Sequence, residues 1–368
     1  MKITRISVYH HDLPLEHPYW LSGGRLKFEC LDASFVKIET DAGCTGWGEG
    51  TPWGHTYLPA HGPGIRAGIE TIAPFILGLN PCEILNIERT MDLALPGHLY
   101  AKSPIDMACW DIAGKVANKP IADLMGGGSR TPKPIASSIG TKNIEDTIKV
   151  MNKYRSRGYV AHSVKFGGNV EHDIERIKEL ESSKKPNEVL LYDVNRGWTR
   201  QQALQVMSSV ENLNVIIEQP CETLNDIEAI SKKHSTTVSI DESLVTLQDA
   251  IRIAKDGIAE IFGIKLNRVG GLTKASRIRD VALSFGIDMF VMATGGSVLA
   301  DTEALHLAST IPDANCRAVW ACQDMLTTDV SPGFGPRNQN GHLHIPEQPG
   351  LGVQPSEDIL GDPIKVYT

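Results

Sequence analysis

Short apolar runs alternate with amphipathic helices through most of the chain, from "KPIASSIG" at residue 133 onward. One such helix is "VEHDIERIKELES", in which apolar residues recur at helical spacing. Eight apolar runs end near Gly140, Lys165, Asp193, Glu218, Asp241, Lys265, Thr294 and Trp320. Successive ends are 23 to 29 residues apart, the length that one strand, one helix and two short loops require. The pattern predicts an α/β protein built as a (β/α)8 barrel.

The first third of the chain has a different pattern. Residues 2–14 and 33–50 alternate like antiparallel strands, and residues 64–78 and 98–117 have helical spacing. The expected domains are an α+β domain over 1–130, the barrel over 131–334, and a Gly- and Pro-rich segment over 335–368. We expect this last segment to pack back on the N-terminal domain.

Composition narrows the class of partner. The 36 basic and 44 acidic residues give a net charge of -8, which argues against a nucleic-acid surface or a polybasic membrane patch. The seven cysteines form no CxxC pair or zinc spacing and are expected to be reduced. The first residues lack the apolar core of a signal peptide, and no apolar run has membrane-spanning length. We therefore expect a cytoplasmic protein that acts on a small molecule.

Three consecutive predicted strands end in an acid: Asp193, Glu218 and Asp241. The strands before and after them end in Lys165 and Lys265. Taken singly, each residue is more simply explained as a helix cap, a rim salt bridge or a solvated loop charge. Together they occupy the same position on five successive units, so all five should meet at the carboxyl rim, where barrel active sites lie.

The residue types suggest their chemistry. Three converging carboxylates repel one another unless a cation neutralises them, and oxygen-only ligands favour Mg2+, with Mn2+ possible. The two lysines lie four strands apart, on opposite walls of an eight-stranded barrel. Two amines flanking a metal-bound carboxylate substrate are suited to removing the neighbouring carbon-bound proton through an enediolate and returning it on the other face. We expect the cation and partial burial to lower the pKa of each lysine.

The ordered motifs resemble the enolase superfamily, in its muconate lactonizing enzyme subgroup. The matching residues are "SVK" at 163–165, "DVN" at 193–195, Glu218, "DES" at 241–243 and "KLNRVGG" at 265–271. The resemblance covers essentially the full chain and implies a modified TIM barrel with an N-terminal α+β capping domain. It also implies that Asp193, Glu218 and Asp241 bind the metal and that Lys165 and Lys265 are the acid/base pair. Ser163 departs from the Lys-x-Lys pattern of the subgroup, which reduces the charge near Lys165.

Residues near these motifs have weaker claims. Asn195 is a candidate outer partner of Asp193, or a turn residue, and Glu242 is a candidate partner of a lysine, or a rim ion pair. Arg268 is expected to be structural. "GGLT" at 270–273 and "ATGGS" at 293–297 are either phosphate-binding turns or, as we favour in the absence of a basic partner, neutral tight turns. Thr294 and Gly295, at the seventh strand end, are candidate substrate-binding residues.

Two capping-domain segments are candidate lids: "HPYWLSGGRLKF" at 17–28 and "TPWGHTYLPAHG" at 51–62. Both contain glycines and aromatic residues, as active-site lids often do. Trp20 and Tyr57 are the candidate substrate contacts, with Trp53 beside them. The alternative is that these rings only bury themselves against the barrel.

Trp320 bears on the substrate because it falls at the eighth strand end. The residues that follow it, "ACQD", lack the paired acids expected of a dipeptide epimerase. An indole without nearby acids can hold a bulky ammonium by cation–π attraction, although simple barrel packing is an equal alternative. Within the subgroup, the combination of Trp320, the aromatic capping-domain segments and "SVKFGG" at 163–168 most resembles the enzymes that invert C2 of proline betaine or 4-hydroxyproline betaine. We therefore expect a Mg2+-dependent isomerase, a racemase or epimerase of an N-methylated proline derivative, and a homo-oligomer.

Other functions use the same groups. A dehydratase of hydroxyproline and a cycloisomerase of a diene acid share the enediolate and differ in its fate. A barrel aldolase that depends on a metal is a third enzyme. A non-catalytic metal-binding barrel is the alternative from another class, although binding alone would not require two amines around one carbon.

Overall fold

The N-terminal domain pairs an antiparallel sheet with a layer of helices. The computed structural model describes residues 1–140 and 143–368. The first elements are β1 (Ile3–Leu21), β2 (Leu26–Thr40), β3 (Thr45–Gly50), α1 (Gly62–Ile76), α2 (Ile84–Ala94), α3 (Leu99–Ala117) and α4 (Ile121–Leu124). Strand β2 pairs antiparallel with both β1 and β3. Helices α1 to α3 bury their apolar faces against one side of this sheet.

Glycines let helix α3 lie directly on strand β3. Gly46, Gly48 and Gly50 alternate along "TGWGEG", so all three point to one side of the strand. A Cβ added to Gly48 would lie 1.9 Å from the carbonyl oxygen of Pro104, and one added to Gly46 would lie 2.2 Å from that of Ala108. The helix backbone occupies the space that side chains would need, which explains why small residues recur at every second position here.

The barrel begins after β4 (Lys133–Pro134). Its strands are β5 (Ala136–Ile139), β6 (Ala161–Lys165), β7 (Val189–Asp193), β8 (Ile216–Glu218), β9 (Thr237–Ile240), β10 (Ile261–Lys265), β11 (Asp288–Met292) and β12 (Cys316–Trp320). Neighbouring strands pair in parallel and in chain order. A bridge between Ile135 and Val319 joins the two ends of the sheet into a ring. The predicted (β/α)8 barrel with its N-terminal α+β domain is confirmed.

Helices return the chain between the strands. They are α5 (Ile144–Arg155), α6 (Val170–Ser183), α7 (Arg200–Val210), α8 (Leu224–Ser231), α9 (Leu247–Lys255), α10 (Leu266–Val269), α11 (Leu272–Ser284) and α12 (Val298–Ser309). The tail adds β13 (His342–Leu343), α13 (Glu357–Leu360) and β14 (Lys365–Tyr367). Strand β14 pairs with β1 of the N-terminal sheet, and β13 pairs with β4. No helix in the described part of the chain is long and apolar enough to cross a membrane.

Alternation along the barrel strands places a layer of apolar side chains beneath the functional side chains at the carboxyl ends of the strands. Apolar side chains fill the barrel interior, including Ala161, Leu191, Ile261, Phe290 and Ala318. Two residues further along a strand, the side chain returns to the same face. That step leads from Leu191 to Asp193, from Ile216 to Glu218 and from Ala318 to Trp320. The ends of the strands therefore carry the functional groups on top of a packed floor.

Two buried acids of the N-terminal domain fix it to the barrel. Glu49 of β3 accepts hydrogen bonds from the backbone N–H groups of Ser297 (2.9 Å) and Ala300 (3.3 Å) at the start of α12. Asp106 of α3 accepts one from the Thr273 N–H (3.0 Å) at the start of α11. Carboxylates are favoured at helix N-termini because they satisfy the free N–H groups and complement the helix dipole. In the "GGLT" and "ATGGS" turns, backbone N–H groups that could bind a phosphate donate instead to Asp106 and Glu49 of the protein itself. This supports our interpretation of both segments as turns that bind no phosphate.

We predict that Gly48→Ala lowers the melting temperature more than Gly50→Ala. The added methyl at 48 meets the Pro104 backbone at 1.9 Å, whereas at 50 the nearest atom, the Tyr100 carbonyl oxygen, is 3.1 Å away. Overpacking of this kind costs about 1–3 kcal/mol, and the clash with rigid backbone places Gly48→Ala at the upper end. Differential scanning calorimetry of both variants measures the difference. Equal melting temperatures would contradict the close packing of α3 on β3.

Candidate active site

Three carboxylates lie side by side at the carboxyl rim. The strand registers place Lys165 opposite Asp193 and Asp193 opposite Glu218, while Asp241 follows the end of β9 directly. All three carboxylates are buried and line one cavity, Asp193 and Glu218 at 3% exposure and Asp241 at 1%. The sequence-predicted acids are therefore brought together at one site.

The two lysines approach this cavity from opposite walls. Strands β6 and β10 are four places apart in the ring of eight, so Lys165 and Lys265 face one another across it. Lys165 forms an ion pair with Asp193. Lys265 Nζ lies 2.5 Å from Asp241 Oδ2. Both line the same cavity as the three carboxylates, which matches the arrangement predicted from the strand ends.

The charges at the site shift its titrating groups. Burial raises the pKa of Glu218 well above its usual range, and the charges of Asp193 and Asp241 raise it further. Burial also opposes ionisation of Asp241, but Lys265 and Arg268 outweigh it and hold the pKa of that carboxyl well below its usual range. Among the described residues, no side chain donates a hydrogen bond to Glu218. The central carboxylate therefore lacks a compensating partner of its own.

Lys165 departs from our expectation of a lowered pKa. Burial acts to lower the pKa of its ammonium group, but the surrounding groups, Asp193 first and then Tyr19 and Glu218, together outweigh burial and raise it. In this arrangement Lys165 is held as an ammonium ion, a form that cannot take up a proton. A neutral lysine at this position requires Asp193 to be neutralised by another cation.

The donor set fits a hard divalent cation. It consists of three buried carboxylates without His or Cys, the chemistry preferred by Mg2+. Within residues 1–140 and 143–368, no three acidic, His or Cys side chains stand close enough to enclose a metal ion as they are placed. Asp193 and Asp241 are instead turned toward the two lysines. If both lysines were neutral, Arg268 would be the one cation among the described residues that still pairs with Asp193 or Asp241. Three negative charges would then face one positive charge, so a further cation is needed to neutralise the carboxylates.

An aromatic wall forms one side of the cavity. Tyr19 and Trp53 of the N-terminal domain stack with ring centroids 5.0 Å apart. Trp53 and Trp320 follow with centroids 6.0 Å apart. Phe290 and Met292 add apolar surface nearby. Trp320 thus lies where the sequence predicted it, among the aromatic residues that line the cavity.

Two sequence-predicted substrate contacts lie elsewhere. Trp20 is 41% exposed and borders a neighbouring groove, because strand alternation in β1 turns its neighbour Tyr19 toward the barrel instead. Gly295 does not line the cavity either; it packs below Trp53, against Leu31. Thr294 does line the cavity, and its carbonyl oxygen accepts a hydrogen bond from Trp53 Nε1 at 2.6 Å.

Tyr57 reaches the site with its hydroxyl already engaged. That hydroxyl donates to Glu242 Oε1 at 2.8 Å and accepts from Lys265 Nζ at 3.2 Å. Asn195 Nδ2 donates to the same Glu242 oxygen at 3.1 Å, and the Asn195 N–H donates to Asp193 Oδ1 at 2.9 Å. Burial, followed by the charges of Asp241 and Asp193, raises the pKa of Glu242 to about 7. These residues form a polar network behind the carboxylates, so Tyr57 is placed to hold the lysine as well as to contact a substrate.

Some functional candidates were missed from sequence. Tyr19 is buried in the cavity wall, with its hydroxyl against that of Ser138 and Lys165 Nζ 5.7 Å from its ring centroid. Its signal was the alternation of β1, in which Tyr19 and Trp20 must face opposite sides. Arg268, expected to be structural, pairs directly with Asp241. Ser163 also lines the cavity, two residues before Lys165 on the same strand face.

Comparison with known proteins agrees with this geometry. Residues 5–126 match the N-terminal domain of the mandelate racemase/muconate lactonizing enzymes, and residues 146–359 match the enolase C-terminal domain-like family. A cis-3-hydroxy-L-proline dehydratase from Roseibium aggregatum is 36% identical, with 100% of both chains covered. An N-succinyl-L-Arg/Lys racemase from Bacillus cereus is 30% identical over 98% of this chain and 97% of that one.

Solved structures share the whole architecture. A mandelate racemase/muconate lactonizing enzyme-type protein from Silicibacter pomeroyi is 71% identical with a TM-score of 0.97, and each chain is covered completely. An enolase superfamily member from Roseovarius nubinhibens, crystallised with magnesium, is 47% identical with a TM-score of 0.96 over 100% of this chain and 99% of that one. With its two domains matched in order and its barrel-rim acids and lysines gathered around one cavity, the chain belongs to the mandelate racemase/muconate lactonizing enzyme family of the enolase superfamily.

Proposed function

We propose that the protein inverts C2 of an N-methylated proline derivative, such as proline betaine or 4-hydroxyproline betaine. The observation that carries the proposal is the placement of Lys165 and Lys265 on opposed strands of one cavity. A carbon held between two amines can lose a proton to one face and gain a proton from the other. Inversion of that carbon is the direct consequence.

The proton transfers belong to the lysines. The neutral lysine takes the C2 proton from its own face of the substrate, and the ammonium of the other lysine donates a proton to the opposite face. Asp193, Glu218 and Asp241 would hold Mg2+, and a related protein has been solved in complex with magnesium. When bound there, Mg2+ supplies positive charge that stabilises the negative charge developing on the substrate carboxylate.

The aromatic wall supports a quaternary ammonium as the substrate nitrogen. Tyr19, Trp53 and Trp320 line the cavity, and aromatic rings attract cations. The nearby acids are committed elsewhere: Asp324 accepts from Tyr159 at 2.7 Å, and Asp301 accepts from the backbone N–H groups after Trp320. In the described part of the cavity, the three rim acids are the only carboxylates. A quaternary nitrogen has no N–H to satisfy, so it suits this wall better than a free ammonium does.

Dehydration of a free hydroxyproline is the second candidate, because the Roseibium aggregatum relative is a cis-3-hydroxy-L-proline dehydratase. The same lysine would remove the C2 proton. The hydroxyl on the neighbouring carbon would then take a proton from a lysine ammonium group and leave as water, with a carbon–carbon double bond formed in its place. The two functions share the first step and differ in the fate of the intermediate.

Proton NMR in D2O should separate these functions. We expect the Mg2+-loaded protein to remove the C2 proton signal of proline betaine or 4-hydroxyproline betaine and to produce the other stereoisomer. Free cis-3-hydroxyproline should be left unchanged. An unsaturated product from the free hydroxyproline, with no exchange of either betaine, would make the protein a dehydratase instead.

A second prediction concerns the ammonium site. Trp320→Leu should raise KM for proline betaine by about tenfold or more, because a desolvated cation–π contact contributes about 2 kcal/mol. Trp320→Phe should restore part of this loss. Trp20→Leu is the matched control, since its ring lies outside the cavity and should leave KM near the wild-type value. A larger effect from Trp20 than from Trp320 would contradict the assignment.

A third prediction tests the metal site without measuring activity. Mg2+ should raise the melting temperature of chelator-treated protein, by about 2.7 kcal/mol of stability at a hundredfold excess over Kd. Glu218→Gln should abolish this response, and Glu179→Gln, an exposed change on α6, should retain it.

The same variant has an expected effect without metal. A carboxyl whose pKa is raised in the folded state favours folding below its ordinary pKa and loses that contribution as the pH rises toward the raised value. At neutral pH, metal-free Glu218→Gln should therefore be at least as stable as metal-free wild type.

An unchanged Mg2+ response in Glu218→Gln would remove Glu218 from the ligand set.

A further inference from the structure

The chain leaves strand β7 through two residues with left-handed backbone. Asn195 has φ of 45° and Arg196 has φ of 65°. Residues with a Cβ adopt this region rarely, and consecutive examples indicate that the surrounding structure holds the turn in place. The Arg196 N–H donates to the Gln219 carbonyl at 2.9 Å, which anchors the turn to the end of the next strand. Its side chain is then free to reach the N-terminal domain.

Arg196 contacts both the backbone and the ring of Tyr57, in a loop of the N-terminal domain. Its Nη2 donates to the Tyr57 carbonyl oxygen at 2.7 Å, and its guanidinium carbon lies 5.6 Å from the centroid of the Tyr57 ring. The other terminal nitrogen donates to Glu222 at 3.1 Å, and Nε lies 3.8 Å from Glu242 Oε1. One arginine of the barrel therefore holds both the main chain and the ring of a residue from the other domain.

Tyr57 in turn holds Lys265. The lysine Nζ donates to the Tyr57 hydroxyl at 3.2 Å and to Asp241 Oδ2 at 2.5 Å. Of these two acceptors, only Tyr57 lies outside the proposed metal ligands. Lys165 is held differently, by Asp193 and beside the ring of Tyr19. Within the described residues, Arg196 makes no hydrogen bond or ion pair with Lys165.

We infer that Arg196 is a positioning residue for one of the two proton transfers. By fixing Tyr57, it sets the direction of Lys265 Nζ without touching Lys165. The inference rests on the proposed two-base reaction. It adds that the two bases are held by different neighbours. Lys265 donates to Tyr57 and Asp241, whereas Lys165 pairs with Asp193 and lies beside the ring of Tyr19. A substitution at Arg196 should therefore harm one face of the reaction and spare the other.

The experiment compares C2 proton exchange in D2O for both stereoisomers of the substrate. Lys165→Ala and Lys265→Ala first identify which stereoisomer presents its proton to which lysine, because each variant retains exchange only on the intact side. Arg196→Gln is then measured on both stereoisomers. We expect exchange that starts at Lys265 to fall by about tenfold or more and exchange that starts at Lys165 to stay within about twofold, as a displaced general base loses rate steeply.

Two further variants complete the test. Tyr57→Phe removes the hydroxyl that contacts Lys265 and should reproduce the same one-sided loss without disturbing the Arg196 turn. Arg200→Gln is the matched control, because Arg200 is a 61% exposed arginine four residues along the chain, and among the described residues its only ion pair is with Asp226, at 3.9 Å. It should leave both exchange rates unchanged.

Equal losses for both stereoisomers in Arg196→Gln would overturn the inference, since they would indicate general damage to the site. So would a loss confined to the stereoisomer that faces Lys165. Failure of the proposed substrate is distinguishable: if the wild type exchanges free hydroxyproline but neither betaine, the same two-sided comparison is made with hydroxyproline. A wild type that exchanges no C2 proton in the panel would overturn the proposed function and the inference together.

Discussion

The mutual repulsion of Asp193, Glu218 and Asp241 is the constraint on which the rest of the site depends. Adjacent parallel strands bring the three carboxylates to one buried rim, where little water screens them. The protein offsets this charge with Lys165, Lys265 and Arg268, but at the lysines the compensation conflicts with catalysis. A lysine paired with a carboxylate is stabilised as an ammonium ion, and an ammonium ion is not a base. A divalent cation held by the three acids would resolve the conflict, because it would neutralise the acids and leave the amines able to exchange protons.

The second requirement is that the N-terminal domain be held against the barrel at a fixed position. Glu49 and Asp106 meet it by inserting their carboxylates into the N-termini of α12 and α11. Glu49 also accepts a hydrogen bond from the Ser297 hydroxyl, which fixes the turn that contains Thr294. Trp53 Nε1 donates to the Thr294 carbonyl oxygen in this turn. Trp53 is therefore positioned through the contact of a buried acid with a helix N-terminus, whereas Tyr57 is held by Arg196 of the barrel. The aromatic wall of the cavity and the interface between the domains share these contacts.

The barrel and its rim were predictable because period-two alternation and parallel pairing leave little freedom. Five predicted strand ends, among them Asp193 and Glu218, coincide with observed ones. Strand β11 ends at Met292 rather than Thr294 because the backbone at Thr294, with φ of 145°, departs from the strand. The contacts made by the N-terminal domain were harder to predict. The choice between Tyr19 and Trp20 depends on the register of a long hairpin, and the partner of Tyr57 depends on the left-handed turn at Arg196. Alternation places Tyr19 and Trp20 on opposite sides of β1, but neither the register of the hairpin nor the turn at Arg196 has a local sequence signal.

The hydrogen-bonding needs of the substrate nitrogen distinguish the two candidate functions more sharply than the catalytic groups do. Both reactions begin with a lysine removing the same proton, so the lysines and carboxylates are common to both. A free hydroxyproline carries a secondary ammonium whose two N–H groups require acceptors once they leave water. The wall formed by Tyr19, Trp53 and Trp320 is aromatic, and Asp301 and Asp324 nearby already accept hydrogen bonds. An N,N-dimethylated nitrogen makes no such demand and is attracted to aromatic rings. On the proposed function, the choice between the two substrates would therefore be made at the nitrogen, before any proton moves.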